Sequence, residues 1–208
     1  MELPMELLAA TQNKGKIKEI EKLLSEGSHE IKVYSLADFD ISVDCPETGD
    51  TFLANSIEKS LFYSRMAGEI YTAADDSGLA VEALGGRPGV HSARYSGEPK
   101  DDERNIRKLL MELDGVENRK ARFVTVVTLS KNGSVIGSFT GEVEGILLKE
   151  KKGTGGFGYD PIFYYPPFQK TFAELSTEEK NRISHRAAAF RKLKSFLDRN
   201  SQDFKFKN

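Results

Sequence analysis

The sequence predicts an α/β protein whose sheet carries a long protruding hairpin, and not a strictly alternating β-α chain. Three observations predict it. Ile106, Leu109, Leu110 and Leu113 recur at i, i+3, i+4 and i+7, which marks an amphipathic helix over Asp101 to Leu113. Phe123 to Leu129 (FVTVVTL) has strand composition, and Asn132-Gly133 follows as a hairpin turn. Near the start, the apolar run Leu7 to Thr11 breaks at Asn13-Lys14-Gly15-Lys16 and gives way to Ile17, Ile20, Leu23 and Leu24 at helical spacing, a strand followed by a helix.

The remaining elements follow in order. Ile31 to Tyr34 reads as a second strand, and Asp38 to Gly49 as a polar stretch containing Glu47-Thr48-Gly49. Thr51 to Ala67 reads as a helix capped by Asp50 or Thr51, with Ala54, Ile57 and Leu61 on its apolar face. Tyr71 starts a strand expected to open at Asp75-Asp76-Ser77-Gly78 into a loop, and Gly85 to Gly89 makes a Gly-Gly-x-Pro-Gly turn. The returning hairpin strand is expected over Ser134 to Leu148, with a break near Gly141. Thr177 to Arg199 reads as one last helix, capped by Ser176 or Thr177, with Glu179 in a capping-box position. Its stripe is Ile183, Ala187, Phe190, Leu193 and Leu197, and Lys180 and Ser184 are expected to share a face.

At 208 residues the chain is read as a single domain, 1–208, either undivided or as two small lobes sharing a cleft, with 1–4 and 201–208 as loose ends. A composition of 38% hydrophobic and 30% charged residues supports a real core. The net charge of −2 argues against a general binder of nucleic acid or membrane surfaces, which relies on excess Lys and Arg. One cysteine, Cys45, excludes an internal disulfide and fits a reducing compartment. No apolar run approaches the ~20 residues of a membrane span and no signal-peptide pattern opens the chain, so a cytoplasmic protein is expected.

Several active-site classes are absent from the motifs. With three histidines and one cysteine, a zinc site of His/Cys type is not expected. There is no G-x-S-x-G elbow and no G-x-x-x-x-G-K-[ST] phosphate loop. GTGGFG, Gly153 to Gly158, fits G-x-G-x-x-G literally, but Tyr159 to Phe163 reads as extended chain where that signature needs a helix. What remains is a consistent set. TQNKGK lies at a helix N-terminus, where unpaired N–H groups and the dipole favour an anion. Asp75 and Asp76 are hard oxygen donors suited to Mg2+ with substrate phosphates. A Gly loop presents Phe157 to a flat ring, and the last helix supplies Lys180, His185 and Arg186. Each element alone is equally a solvated turn, a strand-end cap or a core residue. Together they describe a Mg2+-dependent site for a flat, polyphosphorylated ligand.

These residues also resemble a known family. ATQNKGK (Ala10 to Lys16), ADDSGLAVEALGGRPGVHSARYSG, GTGGFGYDPIF, KTFAELSTEEKN and ISHRAAAF are similar to the signatures of the inosine triphosphate pyrophosphatases, also called dITP/XTP pyrophosphatases. The order and spacing agree from about Leu7 to Leu197; His91 and Ala187 depart where tyrosine and glycine are common. The resemblance implies an elongated, two-lobed α/β fold with a mixed twisted sheet, flanking helices and a central substrate cleft, assembled as a homodimer. It implies Mg2+-dependent hydrolysis of ITP, dITP and XTP to the monophosphate and pyrophosphate. Thr11, Gln12, Asn13, Lys14, Gly15 and Lys16 would then bind the triphosphate, and Glu47 and Asp76 the metal. Asp76 would also accept the proton from water, with Ser77 beside it as a substrate contact. Phe157, Gly158, Tyr159 and Asp160 would form the base-side loop. Lys180 would meet substrate, and His185 and Arg186 the base edge. Asp75, pointing opposite to Asp76 if strand alternation holds, would be structural. Two other functions stay open on sequence: a pyrophosphatase preferring modified pyrimidine or standard nucleotides, and a non-enzymatic nucleotide-binding module.

Overall fold

The computed structural model describes residues 5–25 and 31–200, so the expectation of loose ends at 1–4 and 201–208 falls outside the described residues. Met5–Ala9 (β1) is buried from Leu7 onward on both faces, as befits a strand paired in parallel on each side. Its partners are Ile31–Ser35 (β2) and Tyr71–Val81 (β3). Lys120–Lys131 (β4) and Ser134–Leu147 (β5) form the hairpin, followed by Phe163–Tyr165 (β6) and Lys170–Thr171 (β7). The seven strands lie in the order β2-β1-β3-β4-β5-β6-β7; β6 is antiparallel to both β5 and β7, so the sheet is mixed. At the hairpin turn Asn132 and Gly133 both take positive φ, 50° and 70°, the pairing a tight two-residue turn requires.

The helices are Lys14–Ser25 (α1), Phe52–Ala67 (α2), Asp102–Glu112 (α3), Thr177–Ile183 (α4) and His185–Arg199 (α5). The chain divides into two compact units, one of Met1–Asp76, Thr125–Gly141 and Arg186–Asn208, the other of Ser77–Val124 and Glu142–His185. In the first unit two cores follow the strand alternation. Leu7, Ala9, Tyr71 and Ala73 pack with α1 (Ile20, Leu23, Leu24) and α5 (Ala187, Phe190, Leu193, Leu197). Leu8, Ala10 and Ala74 point the other way and pack with Tyr63 and Ala67 of α2. The core of the second unit joins Leu79, Val81, Ala121, Phe123, Val143 and Leu147 to Ile106 and Leu109 of α3 and to Tyr159, Phe163 and Phe172. Arg119 closes the edge of that core by donating to the carbonyls of Leu113, Leu147 and Leu148 at 3.0, 2.6 and 2.9 Å.

Five expectations are corrected. β3 does not end at Asp75 but runs on to Val81, so the Asp-Asp-Ser-Gly segment lies mid-strand; its side chains find partners in helices, which keeps polar residues tolerable in a sheet interior. α2 does not bury Ala54, Ile57 and Leu61. It buries Asn55, Ser56, Ser60, Tyr63, Ser64 and Ala67. Hydroxyl pairs make that face possible: Ser56 with Thr128 at 2.8 Å and Ser60 with Ser130 at 2.6 Å, while Ser64 Oγ accepts the Gly133 amide at 3.0 Å. β5 passes through Gly141 without a break, since its ladder continues to Leu147. Tyr159 to Ile162 is a turn, not extended chain, closed by the amides of Ile162 and Phe163 donating to the Tyr159 carbonyl. No helix opens after GTGGFG, so the dinucleotide signature is absent there.

The last correction is the final helix. Ser184 closes the last turn of α4, its amide donating to the Lys180 carbonyl at 2.8 Å, and its ψ of 153° then separates α4 from α5, so Thr177 to Arg199 is two helices and not one. Ser176 caps α4 with the expected capping box to Glu179, and His185 and Arg186 open a new helix.

Gly145 shows how tightly the hairpin is packed. A Cβ there would lie 2.6 Å from the Phe163 ring and 2.7 Å from the Tyr164 carbonyl. Gly145→Ala is expected to destabilise the protein by about 1–3 kcal/mol through overpacking. A urea denaturation midpoint equal to that of the parent would contradict this.

Candidate active site

In the first unit, the side chains proposed for chemistry converge on β3. Asp75 and Asp76 are 3% and 8% exposed, and as neighbours in a strand they face opposite sides. Asp75 faces α1 and α5. Lys16 Nζ donates to Asp75 Oδ2 at 2.8 Å, and Arg186 Nε lies 3.8 Å from the same oxygen. Arg186 is held from its other end by Glu19, whose Oε2 is 2.5 Å from Nη1. Asp76 faces α2, where Asn55 Nδ2 donates to its Oδ2 at 3.0 Å.

Lys59, also on α2, donates to the Asp75 carbonyl at 3.1 Å and forms an ion pair with Glu47. The loop bearing Glu47 is fastened to α2 by further hydrogen bonds. Gly49 N donates to Asn55 Oδ1 at 2.7 Å, Thr48 N to Glu58 at 2.9 Å, and Thr51 caps the helix through the Ala54 amide at 3.0 Å.

These contacts fix the ionisation. Burial pushes the Asp75 carboxyl up, but Lys16, Arg186 and Lys59 together outweigh it and hold it well below the usual carboxylate range. Burial and the neighbouring cations Arg186 and Lys59 push the Lys16 ammonium down, against the pull of Asp75. Burial also works against Lys59, yet Asp75, Glu47 and Asp76 raise it overall. Cys45 is half-buried and its thiol is pushed up to about 11 by burial and by Glu58, which leaves it a poor nucleophile near neutrality.

The phosphate-loop candidates sit at the start of α1. Asn13 caps the helix, its Oδ1 accepting the amides of Gly15 and Lys16 at 2.9 and 3.1 Å, and Thr11 Oγ1 accepts the Asn13 amide at 3.2 Å. Gln12 is exposed, its Nε2 3.5 Å from the Ser42 carbonyl; Lys14 opens the helix, and its side chain lies outside the described part of the structure. For a metal, Glu47 and Asp76 would supply carboxylate oxygens, and among the described residues no group of three or more His, Cys, Asp or Glu could hold an ion. That donor set fits Mg2+, which takes one or two carboxylates and completes its shell with phosphate and water, and does not fit a closed protein cage.

In the second unit, Phe157 stands 56% exposed on the Gly loop. Asp160 is buried beneath it and accepts both the Phe157 amide at 2.9 Å and Lys180 Nζ at 2.5 Å. Lys180 Nζ also lies 4.8 Å from the centre of the Phe157 ring. Gly156 is obligatory, because its φ is +74° and a Cβ there would meet Asp160 Oδ2 at 2.1 Å. The Gly158 amide donates to Asp102 at the start of α3, at 2.6 Å. Tyr159 is a core residue whose hydroxyl donates to the Ser92 carbonyl at 2.8 Å. His185 is buried and stacks on Phe123 with ring centres 4.9 Å apart. Ser77 is half-buried in β3, next to Asp76.

The structure therefore brings Lys16, Asp75 and Arg186 together, and separately Phe157, Asp160 and Lys180. Asn55, Lys59, Glu19 and Asp102 were not singled out from sequence. Asn55 and Lys59 stand one turn apart on α2 and Glu19 stands one turn after Lys16, so helical spacing carried a signal for them. For Asp102, an ordinary first-turn acid, there was none.

The chain belongs to the Ham1 family, whose profile matches residues 7–196. It is 47% identical over 197 residues to a dITP/XTP pyrophosphatase of Desulforamulus reducens, covering 94% of this chain and 96% of that one. It is 50% identical to a dITP/XTP pyrophosphatase of Geobacillus kaustophilus, with 90% and 92% coverage. Among solved structures, the Staphylococcus aureus Ham1 protein superposes with a TM-score of 0.85 at 42% identity, covering 94% of this chain and 99% of that one. A HAM1 protein from Coxiella burnetii gives 0.86 at 39%, with the same coverage. No described helix is long and apolar enough to cross a membrane.

Asp75→Ala leaves Lys16 and Arg186 without the carboxylate that compensates them. A loss of about 3–5 kcal/mol is expected, as for a buried pair deprived of one partner. Chemical denaturation at pH 7 measures it, and a change below about 1 kcal/mol would place Asp75 outside the buried network.

Proposed function

We propose that the chain hydrolyses the non-standard purine nucleoside triphosphates ITP, dITP and XTP to the monophosphate and pyrophosphate. The observation that carries this reading is the buried Lys16–Asp75–Arg186 network with Asp76 on the opposite face of the same strand, in a chain 45–50% identical to proteins named dITP/XTP pyrophosphatase. The same reading extends to a homodimer in solution and to a cytoplasmic place of action.

Glu47 and Asp76 are the residues assigned to Mg2+, which when bound neutralises phosphate charge and acidifies a water. The chain's own residues do the rest. Thr11 to Lys16 take the triphosphate. Because Asn13 already engages the Gly15 and Lys16 amides, the Lys16 ammonium and the helix dipole carry most of that attraction. Water attacks the α-phosphorus in line with the departing pyrophosphate, and Asp76 accepts its proton. Phosphoryl transfer needs little covalent help from the protein, so positioning and charge stabilisation dominate.

Phe157 stacks on the purine, held by Asp160 and Lys180. Ser77 and Gly158 complete the substrate contacts, and Tyr159, buried in the core, supports the loop from behind. His185 and Arg186 donate to the 6-oxo group of the base, and Glu19 sets the direction of Arg186. Adenine presents a 6-amino donor to the same positions and leaves them unpaired, a mismatch that discriminates strongly.

Pyrophosphate release from ITP, dITP and XTP in the presence of Mg2+, against ATP, GTP and dUTP, tests the proposal. A preference for the first three is expected, and equal or greater turnover of the standard or pyrimidine nucleotides would overturn it. Asp76→Asn is expected to lower kcat by about 100-fold or more while remaining folded. Arg186→Ala should narrow the ITP-to-ATP ratio; an unchanged ratio would remove Arg186 from base recognition.

A further inference from the structure

Asn55 has no part in the chemistry just described, yet its polar side chain is buried in the first unit, 3% exposed. Its amide is used at both ends. Oδ1 accepts the Gly49 amide at 2.7 Å, and Nδ2 donates to Asp76 Oδ2 at 3.0 Å. The two contacts determine each other. Gly49 N–H can only donate, so it must meet Oδ1; this turns Nδ2, a donor, toward Asp76 Oδ2, which accepts it. The Gly49 side of the link is compressed as well. A Cβ on Gly49 would lie 2.6 Å from Ala54 Cβ and 2.8 Å from Asn55 Oδ1, so the loop is pressed against α2 at the point where Asn55 grips it. That loop carries Glu47 two residues earlier.

We propose that Asn55 is a positioning residue for this reaction: one buried amide joins the Glu47 loop to Asp76 and sets the plane of the Asp76 carboxylate. The inference rests on the reading of Asp76 as proton acceptor. A carboxylate rotates easily about its terminal bond, and the hydrogen bond from Asn55 at one oxygen restrains that rotation. Asn55 also makes the position of Glu47 depend on that of Asp76, so the two acidic side chains move as one unit.

Two substitutions separate this role from packing. Asn55→Asp keeps an oxygen for the Gly49 amide but turns a second oxygen toward Asp76, so the loop stays tied and the Asp76 contact is lost. Asn55→Ser is neutral and too short to span both partners, which controls for the added charge and provides a second variant if the first does not fold. Both are compared with the parent for ITP turnover, for thermal midpoint, and for binding of an ITP analogue with a methylene bridge between the α- and β-phosphorus.

The expected result is a fall in kcat of about 10- to 100-fold, the scale of a small misplacement of a reacting group. KM for ITP and analogue affinity should stay within about threefold, an uncertainty typical of single contacts. Normal kcat in the folded variants overturns the proposal, as does a parallel loss of analogue binding and thermal midpoint, which would make Asn55 a packing residue. If the parent itself releases no pyrophosphate from any triphosphate, the functional reading fails instead; if the parent is active and Asp76→Asn is not, normal Asn55 variants overturn this inference alone.

Discussion

A carboxylate buried in the middle of a strand stays ionised only if cations are brought to it, and the first unit is built around that requirement at Asp75. Lys16 comes from the first turn of α1, Arg186 from the first turn of α5 and Lys59 from α2. Each of those helices must therefore begin, or be seated, where its cation reaches β3. The desolvation cost of such a group is several kcal/mol, more than any one surface contact returns, so the network has to be complete to be stable. Glu19 extends it by one further charge, holding Arg186 from the side away from Asp75.

The same requirement accounts for the break at Ser184. A continuous helix from Thr177 would carry Arg186 round with the turn of the preceding residues. Ending α4 and starting α5 at His185 frees Arg186 to point at Asp75 while His185 stacks on Phe123 in the second unit. Adjacent residues thus serve different units because the backbone is extended just before them.

Directional bonding also governs α2. An apolar face tolerates small slips along a sheet, whereas paired hydroxyls such as Ser56–Thr128 and Ser60–Ser130 hold a single register. α2 carries Asn55 and Lys59, so its register sets where Asp76 and Glu47 are gripped. In the second unit, Asp160 acts the same way at short range. Its buried carboxylate pins the amide of Phe157 and the ammonium of Lys180, so an exposed ring on a glycine-rich loop is held by a charge beneath it.

Periodicity in the sequence determined α3, α1, the hairpin turn at Asn132-Gly133 and the α/β character of the sheet, because apolar spacing and turn chemistry act over a few residues. The linear motifs likewise marked Lys16, Asp75, Asp76, Phe157 and Lys180 as residues that needed explanation. The tertiary structure decided what lay beyond local pattern. The polar face of α2 defied the apolar rule because its partners, Thr128 and Ser130, are some seventy residues distant. The continuation of β3 through two aspartates was illegible for the same reason, since acids read as a strand end until the cations that neutralise them are in place. The stretch Tyr71 to Val81 is a strand in sequence only as far as Ala74; it is a strand in the protein because α1, α2 and α5 bring Lys16, Asn55, Lys59 and Arg186 to it, and charge compensation of that kind exists only once the chain has folded.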